Sequence, residues 1–398
     1  MHNADRFADI PNSPFVRLTR LLEGTAPGQP PISMAVGEPQ HKIPDFVPRI
    51  IAAHGAEFAR YPLTAGTESY RAAVADWLER RYALPRPLNP ATQVLPLAGS
   101  REGLFSAVIA LTPAHKQGQR PAILLPNPFY QCYAAAALAA GAEPIYVNAT
   151  QATGYLPDFE AVPENVWART SSVFMCSPSN PEGAVYGKED WRRLFARADH
   201  HDCLVLADEC YSEIYDETPP HGALEVRARM DEALSRVLVF HSLSKRSSLP
   251  GLRAGFVAGD AALIARFREL RNLIAPVVPL PLLAAAEACW RDEAHVEENR
   301  ALYRAKFDLA DRVLGNRPGY FRPAGGFFLW LDVGDGERAA LRLWQQAGIR
   351  VIPGAYLAKE TPSPSGPLNP GAAYIRIALV NDLETTKAAL LRIAEALS

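Results

Sequence analysis

The sequence predicts an α/β fold in which helices cover both faces of a largely parallel β-sheet, with a second, smaller strand–helix unit near the carboxyl end. Three observations lead to this prediction. The chain has 398 residues, more than one small hydrophobic core requires. Short apolar runs alternate with longer amphipathic segments over much of the chain, a pattern typical of a sheet covered by helices. A long helical stretch after Asp260 then separates this part from the last strands.

The predicted strands are short apolar runs bounded by turn residues, at 122–125, 144–147, 172–175, 204–207, 237–240 and 254–258. Amphipathic segments between them predict helices over 102–111, 130–140 and 188–198. The last two runs follow each other closely, which favours a mixed sheet. Beyond them we expect helices over 262–273, 281–290 and 294–314, and a smaller unit containing 326–332, 339–347, 374–379 and 383–396.

Composition excludes several classes of function. Apolar residues make up 48%, charged residues 21%, and the formal net charge is −2, so neither nucleic acid nor an anionic membrane is expected as a partner. The five cysteines form no CxxC pair and no metal-type spacing with the nine histidines, so we expect reduced thiols and no metal site. The sequence shows no apolar signal segment and no spanning run. These features predict a soluble, cytoplasmic protein.

Polar residues follow the predicted strands at their carboxyl ends, where ligands gather in such sheets. Lys245 comes after one strand in a serine-rich turn, and Asp208 closes another. A desolvated lysine is a nucleophile towards carbonyls. A partly buried carboxylate needs a cationic partner, for which a protonated pyridine nitrogen is suited. Taken alone, each is more often an ordinary loop lysine or a helix-capping acid.

Anion-binding groups surround Lys245. Ser242, Ser244 and Arg253 supply hydroxyls and a guanidinium. The run Gly99-Ser100-Arg101 stands at a strand-to-helix turn, where free backbone N–H groups and the helix dipole favour an anion. A simple helix N-cap is the alternative for this turn.

Two further side chains are candidates for contact with a ligand. Tyr130 follows another strand-to-helix turn and could lay its ring on a flat cofactor, although a core aromatic is an equal alternative. Arg376 is a single charge inside an apolar strand, so we expect a carboxylate to bind it in bidentate fashion. That carboxylate is either structural or the α-carboxylate of a substrate.

These residues resemble the class I/II aminotransferases of fold type I. The matching motifs run in family order along nearly the whole chain: Val36-Gly37-Glu38-Pro39, Tyr61 with Gly66 ahead of Tyr70-Arg71, Gly99-Ser100-Arg101-Glu102, Pro128-Phe129-Tyr130, Ser179-Asn180-Pro181-Glu182-Gly183, Asp208-Glu209-Cys210-Tyr211, Ser242-Leu243-Ser244-Lys245, Pro250-Gly251-Leu252-Arg253-Ala254-Gly255 and Tyr374-Ile375-Arg376. Each motif alone is a modest signal, and nine in the same order are a strong one.

The resemblance implies a fold-type I pyridoxal-phosphate enzyme. Lys245 is then expected to carry pyridoxal 5′-phosphate and to move the substrate's α-proton, while Asp208 keeps the pyridine nitrogen protonated. Tyr211 and Asn180 are expected at the cofactor's 3′-oxygen and Tyr130 on its ring. The phosphate ligands implied are Ser242, Arg253, Ser100, Arg101 and, from the neighbouring subunit, Tyr61.

The same resemblance implies how substrates and domains are arranged. The α-carboxylate of an amino acid or 2-oxo acid is expected on Arg376, with Asn180 and the backbone of Gly37. Since Tyr61 would serve the other subunit's site, a homodimer with shared active sites is expected. Residues 1–45 are predicted to form an N-terminal arm and part of the small domain, 46–280 the large cofactor-binding domain, and 281–398 the small domain.

Within the family, the loop from Ser244 to Arg253 resembles the N-succinyldiaminopimelate aminotransferases of bacterial lysine synthesis. This implies amino transfer between N-succinyl-L,L-diaminopimelate and 2-oxoglutarate. The chain departs from that pattern at four positions, with Ser248 for Asn, Ala254 for Ser, Glu182 for Thr and Gly103 for Ala.

The residues that meet the distal substrate carboxylate stay open, with Arg17, Arg20 and Arg246 as candidates. The alternatives are an aminotransferase for another amino acid and a C–S β-lyase of the same fold, since motifs separate these activities poorly. A regulator that keeps this fold as a sensor is disfavoured, because only about 30 residues precede the first motif and a DNA-binding domain needs more.

Overall fold

The computed structural model describes residues 12–274, 276–363 and 366–398. Residues 1–11 of the predicted N-terminal arm lie outside this range. The strands are β1 (Ile32–Ser33), β2 (Val94–Leu97), β3 (Ala122–Asn127), β4 (Glu143–Asn148), β5 (Thr170–Cys176), β6 (Leu204–Asp208), β7 (Val237–Ser242), β8 (Gly255–Gly259), β9 (Phe328–Asp332), β10 (Ile349–Arg350), β11 (Ile352–Pro353) and β12 (Tyr374–Ala378).

The helices of the described residues lie between and after these strands. They are α1 (Pro14–Leu22), α2 (Phe46–Ala53), α3 (Glu68–Tyr82), α4 (Ser100–Leu111), α5 (Gln131–Ala139), α6 (Glu164–Ala168), α7 (Lys188–His200), α8 (Ala223–Arg227), α9 (Leu243–Arg246), α10 (Ala261–Ile274), α11 (Leu280–Arg291), α12 (Ala294–Leu314), α13 (Gly336–Ala347) and α14 (Leu383–Ala396).

A seven-stranded sheet forms the centre of the molecule, in the order β2-β8-β7-β6-β5-β3-β4. The five strands from β7 to β4 pair in parallel, whereas β8 pairs antiparallel with both β7 and β2. The predicted mixed, mostly parallel sheet is therefore confirmed. The carboxyl ends of β5, β6 and β7 meet at one edge, as ligand sites of this architecture require.

Alternation along each strand divides the core between the two faces of the sheet. Val205 and Val237 pack into a cluster with α3, α7, α8 and α11. Leu206 and Leu238, one residue further on, pack into a second cluster with α4, α5 and α10. Burial on both faces explains why these strands read as continuous apolar runs in the sequence.

A smaller unit packs around the three-stranded sheet β11-β12-β9. Its helices have strong local signals. Asp335 caps α13 by accepting the Arg338 N–H at 3.0 Å, and Gly348 ends the helix with φ of +66°, a conformation that favours glycine. The strand β1 pairs in parallel with β10, which joins the N-terminal segment to this unit.

The domain limits stay a prediction. The helix α11 begins at Leu280, where the predicted limit lies, and contributes Leu283 and Trp290 to the core cluster of the large sheet. Among the described residues, no helix has the length and apolar character needed to cross a bilayer.

Candidate active site

The carboxyl edge of the large sheet opens into a cavity of about 480 Å³. Every predicted site residue except Tyr61 lines it, which brings together Gly37, Ser100, Arg101, Tyr130, Asn180, Asp208, Tyr211, Ser242, Lys245, Arg253 and Arg376. These residues span most of the chain's length, so their convergence is a property of the fold and not of local sequence.

Lys245 lies on the short helix α9, which begins where β7 ends. The Ser242 hydroxyl caps this helix by accepting the Ser244 N–H at 3.2 Å. Lys245 Nζ donates to the Gly37 carbonyl at 2.6 Å and lies 5.2 Å from the centre of the Phe327 ring. Burial lowers the pKa of Lys245 to about 8, because desolvation penalises the charged amine. A neutral, nucleophilic amine is therefore accessible near neutral pH.

Asp208 ends β6 and is buried, with 6% of its surface exposed. One carboxylate oxygen accepts the Tyr133 hydroxyl at 2.7 Å, and the other accepts the Cys210 backbone N–H at 3.2 Å. Two donors hold the carboxylate in place while no cationic side chain of the described residues pairs with it. This arrangement fits a positively charged ring nitrogen.

Tyr133 is a site residue that was not predicted from the sequence. Its ring stacks on Phe174 with centres 4.3 Å apart, and its hydroxyl reaches Asp208. The signal was present, since Tyr133 follows Tyr130 by three residues at the start of α5, and residues three apart share a helix face.

Hydroxyls, a guanidinium and a helix N-terminus converge at another end of the cavity. Ser100 begins α4 directly after Gly99, whose φ is +87°. A Cβ on Gly99 would come within 2.2 Å of Arg253 Nη2, so the turn needs glycine. Arg253 donates to the Ala98 carbonyl at 3.1 Å, and the Ser242 and Ser244 hydroxyls lie 2.9 Å apart. This donor set fits a phosphate.

Tyr130 lies beside this anion site. Its hydroxyl contacts Arg101 Nε, and its ring stands edge-on to Tyr133 with centres 5.5 Å apart. Burial raises the pKa of Tyr130, so the phenol stays protonated at neutral pH. An aromatic ring on the cavity wall can pack against a planar cofactor.

Arg376 lies in the middle of β12 and is buried, with 5% exposed. Its guanidinium donates to Asn180 Oδ1 at 3.0 Å and to the Ala35 carbonyl at 2.9 Å, and its carbon lies 4.3 Å from the centre of the Phe328 ring. Nε has no hydrogen-bond partner among the described residues. Burial lowers the pKa of Arg376 to about 10, a sign that the charge lacks a counter-ion. An incoming carboxylate would supply one.

Tyr211 is the remaining predicted side chain that lines the cavity. It is buried edge-on against Phe327 and Phe328, with ring centres 5.4 and 5.9 Å away. Burial raises the pKa of its phenol well above the usual value. Tyr211 is thus a hydrogen-bond donor held by two aromatic neighbours.

Other candidates lie outside the cavity. Tyr61 is fully exposed. The suggestion that Arg246 meets a substrate carboxylate is wrong, because its guanidinium is buried, pairs with Glu293 at 2.7 Å and donates to the Cys289 carbonyl at 2.6 Å. Arg17 lies over the Tyr356 ring at 3.7 Å, and neither Arg17 nor Arg20 lines the cavity.

One group in the described residues has metal-ligating side chains close together, formed by Glu164, His200 and His201 at the surface. The Glu164 carboxylate already binds Arg197 at 3.2 Å and His201 at 3.0 Å. These contacts satisfy the carboxylate without a metal ion, and the group is separate from the cavity.

Comparison with known proteins agrees with this geometry. The family model described as "Aminotransferase class I and II" matches residues 29–393. The chain is 34% identical to an LL-diaminopimelate aminotransferase of Desulforudis audaxviator over 88% of this chain and 89% of the relative. It is 31% identical to one from Dehalococcoides mccartyi, with 95% of each covered.

Solved structures are similar over the full length. An aminotransferase from Neisseria meningitidis superposes with a TM-score of 0.94 at 39% identity, covering 100% of both chains. A probable N-succinyldiaminopimelate aminotransferase from Thermus thermophilus gives a TM-score of 0.84 at 25% identity, covering 96% of this chain and 100% of that one.

Proposed function

Because this chain belongs to the class I and II aminotransferases, we propose that its substrates are a diaminopimelate derivative and 2-oxoglutarate, between which it transfers an amino group in lysine synthesis. It is a transaminase that depends on pyridoxal 5′-phosphate. The observation that carries the amino-acid part of the proposal is the buried Arg376, whose Nε has no partner among the described residues and which lines the same cavity as Lys245. The diaminopimelate skeleton is supported by the names of the relatives at 31% and 34% identity.

The proposed roles follow from the contacts. When bound, pyridoxal phosphate supplies an electron sink for the substrate's α-carbon. Asp208 would balance the charge of the ring nitrogen, and Tyr211 with Asn180 would donate hydrogen bonds to the ring oxygen. Arg376 would orient the substrate by its α-carboxylate, which fixes the direction of the α C–H bond. The phosphate would be held by Ser100, Arg101, Ser242 and Arg253.

Lys245 would act twice in this scheme. Its neutral amine would bind the cofactor covalently, and once displaced by the substrate's amine it would take the α-proton as a general base. A pKa lowered to about 8 by burial suits a base that operates near neutral pH. Its hydrogen bond to the Gly37 carbonyl holds the amine at the cavity wall, which both residues line.

Within the diaminopimelate derivatives we propose N-succinyl-L,L-diaminopimelate as the amino donor. The loop from Ser244 to Arg253 supports it by its resemblance to succinyl-specific enzymes, as does the similarity to the Thermus thermophilus protein. Unmodified L,L-diaminopimelate is the second candidate, favoured by the names of the relatives at 31% and 34% identity. The two donors differ at the distal nitrogen, which is an ammonium in one and, in the other, an amide that carries a succinyl chain with its own carboxylate.

We further propose a cytoplasmic homodimer. Tyr61 is fully exposed, and its neighbours Leu63 and Phe58 are 75% and 57% exposed. Apolar side chains clustered at a surface favour a protein partner, and a second subunit would bring Tyr61 to the partner's phosphate site. The five cysteines of the sequence form no disulfide in the described residues, which accords with a reducing compartment.

A single-turnover panel tests the proposed substrate. The holoenzyme is mixed with N-succinyl-L,L-diaminopimelate, L,L-diaminopimelate or other amino acids, and conversion of the cofactor to its pyridoxamine form is followed by absorbance. One diaminopimelate donor should convert it fastest, and Lys245→Ala should lower the rate by about 10²- to 10⁴-fold. Faster conversion by an unrelated amino acid would refute the substrate, and pyruvate release from a cysteine-type substrate would indicate a β-lyase.

A further inference from the structure

Glu182 is a buried carboxylate in the cavity wall that the proposed chemistry does not use. Only 2% of the residue is exposed, yet it lines the cavity, and its Oε1 has no hydrogen-bond partner among the described residues. Buried polar atoms are almost always paired, and an unpaired buried carboxylate is costly. A group left in this state beside a substrate cavity is a candidate for ligand contact.

The position of Glu182 puts it next to the carboxylate clamp. It follows Asn180 by two residues, and Asn180 accepts from Arg376. On the same stretch of wall, Tyr155 lines the cavity with φ of +60°, an unfavourable conformation for a residue other than glycine. The Tyr155 ring is fixed by stacking on Phe321 with centres 4.9 Å apart. The part of the cavity wall that contains Glu182 and Tyr155 therefore has a defined shape.

Among Glu182 and the titratable side chains next to it, Glu182 is the group that changes charge near neutral pH, and Lys245, which also titrates in this range, serves every donor alike. Burial raises the pKa of Glu182 to about 7, against its own backbone N–H and the Ser179 hydroxyl, which act in the opposite direction. Tyr155 and Cys176 are its titratable neighbours, and burial raises the pKa of both, so both stay neutral. Above pH 7 the Glu182 carboxylate is ionised, and its Oε1 still has no donor among the described residues.

We propose that Glu182 selects amino acids that carry a nitrogen at their far end, by accepting a hydrogen bond from that distal N–H. The inference rests on the proposed function, since a diaminopimelate derivative has such a nitrogen as ammonium or amide. Glutamate, the product of the acceptor half-reaction, has none. The residue thus distinguishes the two substrates that share one cavity.

The test compares donors in wild type, Glu182→Gln and a matched control, Glu160→Gln, whose exposed side chain lies outside this cavity. The kcat/KM of the single-turnover conversion is measured for L,L-diaminopimelate, its N-succinyl derivative and L-glutamate. In Glu182→Gln a charged hydrogen bond is lost. The kcat/KM for the better diaminopimelate donor, divided by the kcat/KM for glutamate, should therefore fall by about 10- to 100-fold. Glu160→Gln should match wild type.

The pH dependence gives a second readout that a purely structural role would not change. In wild type the ratio should rise from pH 6 to pH 8 as Glu182 ionises, and in Glu182→Gln it should stay flat. An unchanged ratio, or an equal loss for all three donors, overturns the role of Glu182 while leaving the proposed function standing. If wild type converts neither diaminopimelate donor, both proposals fail together.

Discussion

Two buried charged regions of this molecule differ in how their charges are paired. Between α3 and α12, Glu213 binds Arg81 at 2.6 Å and Arg300 at 3.2 Å, and all three side chains are largely buried. In the cavity, neither Lys245 nor Arg376 forms an ion pair with any described residue. In the first region buried charges of opposite sign pair with one another. In the cavity the two cations are left to pair with a ligand.

The pKa values express the same difference. Burial lowers the pKa of both Lys245 and Arg376, to about 8 and about 10, whereas the pKa of Arg81 is raised by its acidic and phenolic neighbours in spite of burial. Desolvation without a partner favours the neutral form of a cation, and a close carboxylate reverses this. Unpaired buried charge in a cleft is typical of functional sites.

The largest effect should come from breaking the paired region. Glu213→Gln removes the carboxylate shared by two buried guanidinium groups, of which Arg300 keeps its pair with Glu297. The free energy of unfolding should therefore fall, towards the lower end of the roughly 3–5 kcal/mol expected for a broken buried pair. Urea denaturation of the holoenzyme measures it. The kcat/KM of the folded variant should stay near that of wild type, and a loss of activity with unchanged stability would contradict the comparison.

Arg376→Lys should lower activity and have a smaller effect on stability, the reverse of Glu213→Gln. It keeps a positive charge but loses the planar pair of donors that binds a carboxylate in bidentate fashion, so kcat/KM should fall by about 10²-fold. The urea midpoint should change less than in Glu213→Gln, because the guanidinium forms no internal ion pair and loses only its hydrogen bonds to Asn180 and the Ala35 carbonyl. Arg300→Lys is the matched control in the paired region. In this variant the urea midpoint should fall, while kcat/KM should stay near that of wild type.

Much of the fold and of the cavity could be predicted from the sequence, because the patterns that indicate strands and site residues are local. Strands buried on both faces read as apolar runs, and the polar residues that follow them mark the cavity edge. The helix α3 was missed since its buried residues form a broad face with polar-tipped aromatic and small side chains, and not a narrow stripe of apolar residues. They are Tyr70, Ala73, Val74, Ala75, Trp77, Leu78 and Tyr82. Arg246 was misjudged because burial against α11 and pairing with Glu293 depend on distant segments. Tyr61 stays a prediction about a second subunit.

The smallest effect concerns the proton on Lys245. Only the neutral amine attacks the cofactor aldehyde, so covalent reconstitution of the apoprotein should accelerate about tenfold per pH unit below pH 8 and level off above it. The rate of absorbance change on mixing with pyridoxal 5′-phosphate measures this. Nα-acetyl-lysine, whose side-chain amine is fully in water, gives the reference rate. An ordinary lysine would keep gaining rate up to its usual pKa near 10.4.

The same profile links the two cavity cations. Besides burial, the charge of Arg376 lowers the pKa of Lys245, so Arg376→Gln should shift the plateau to higher pH. Arg376→Lys keeps the charge and should leave the plateau in place, even though its kcat/KM falls. A plateau that moved equally in both variants would mean that shape, and not unpaired charge, sets the reactivity of Lys245, and the contrast with the Glu213 region would lose its basis.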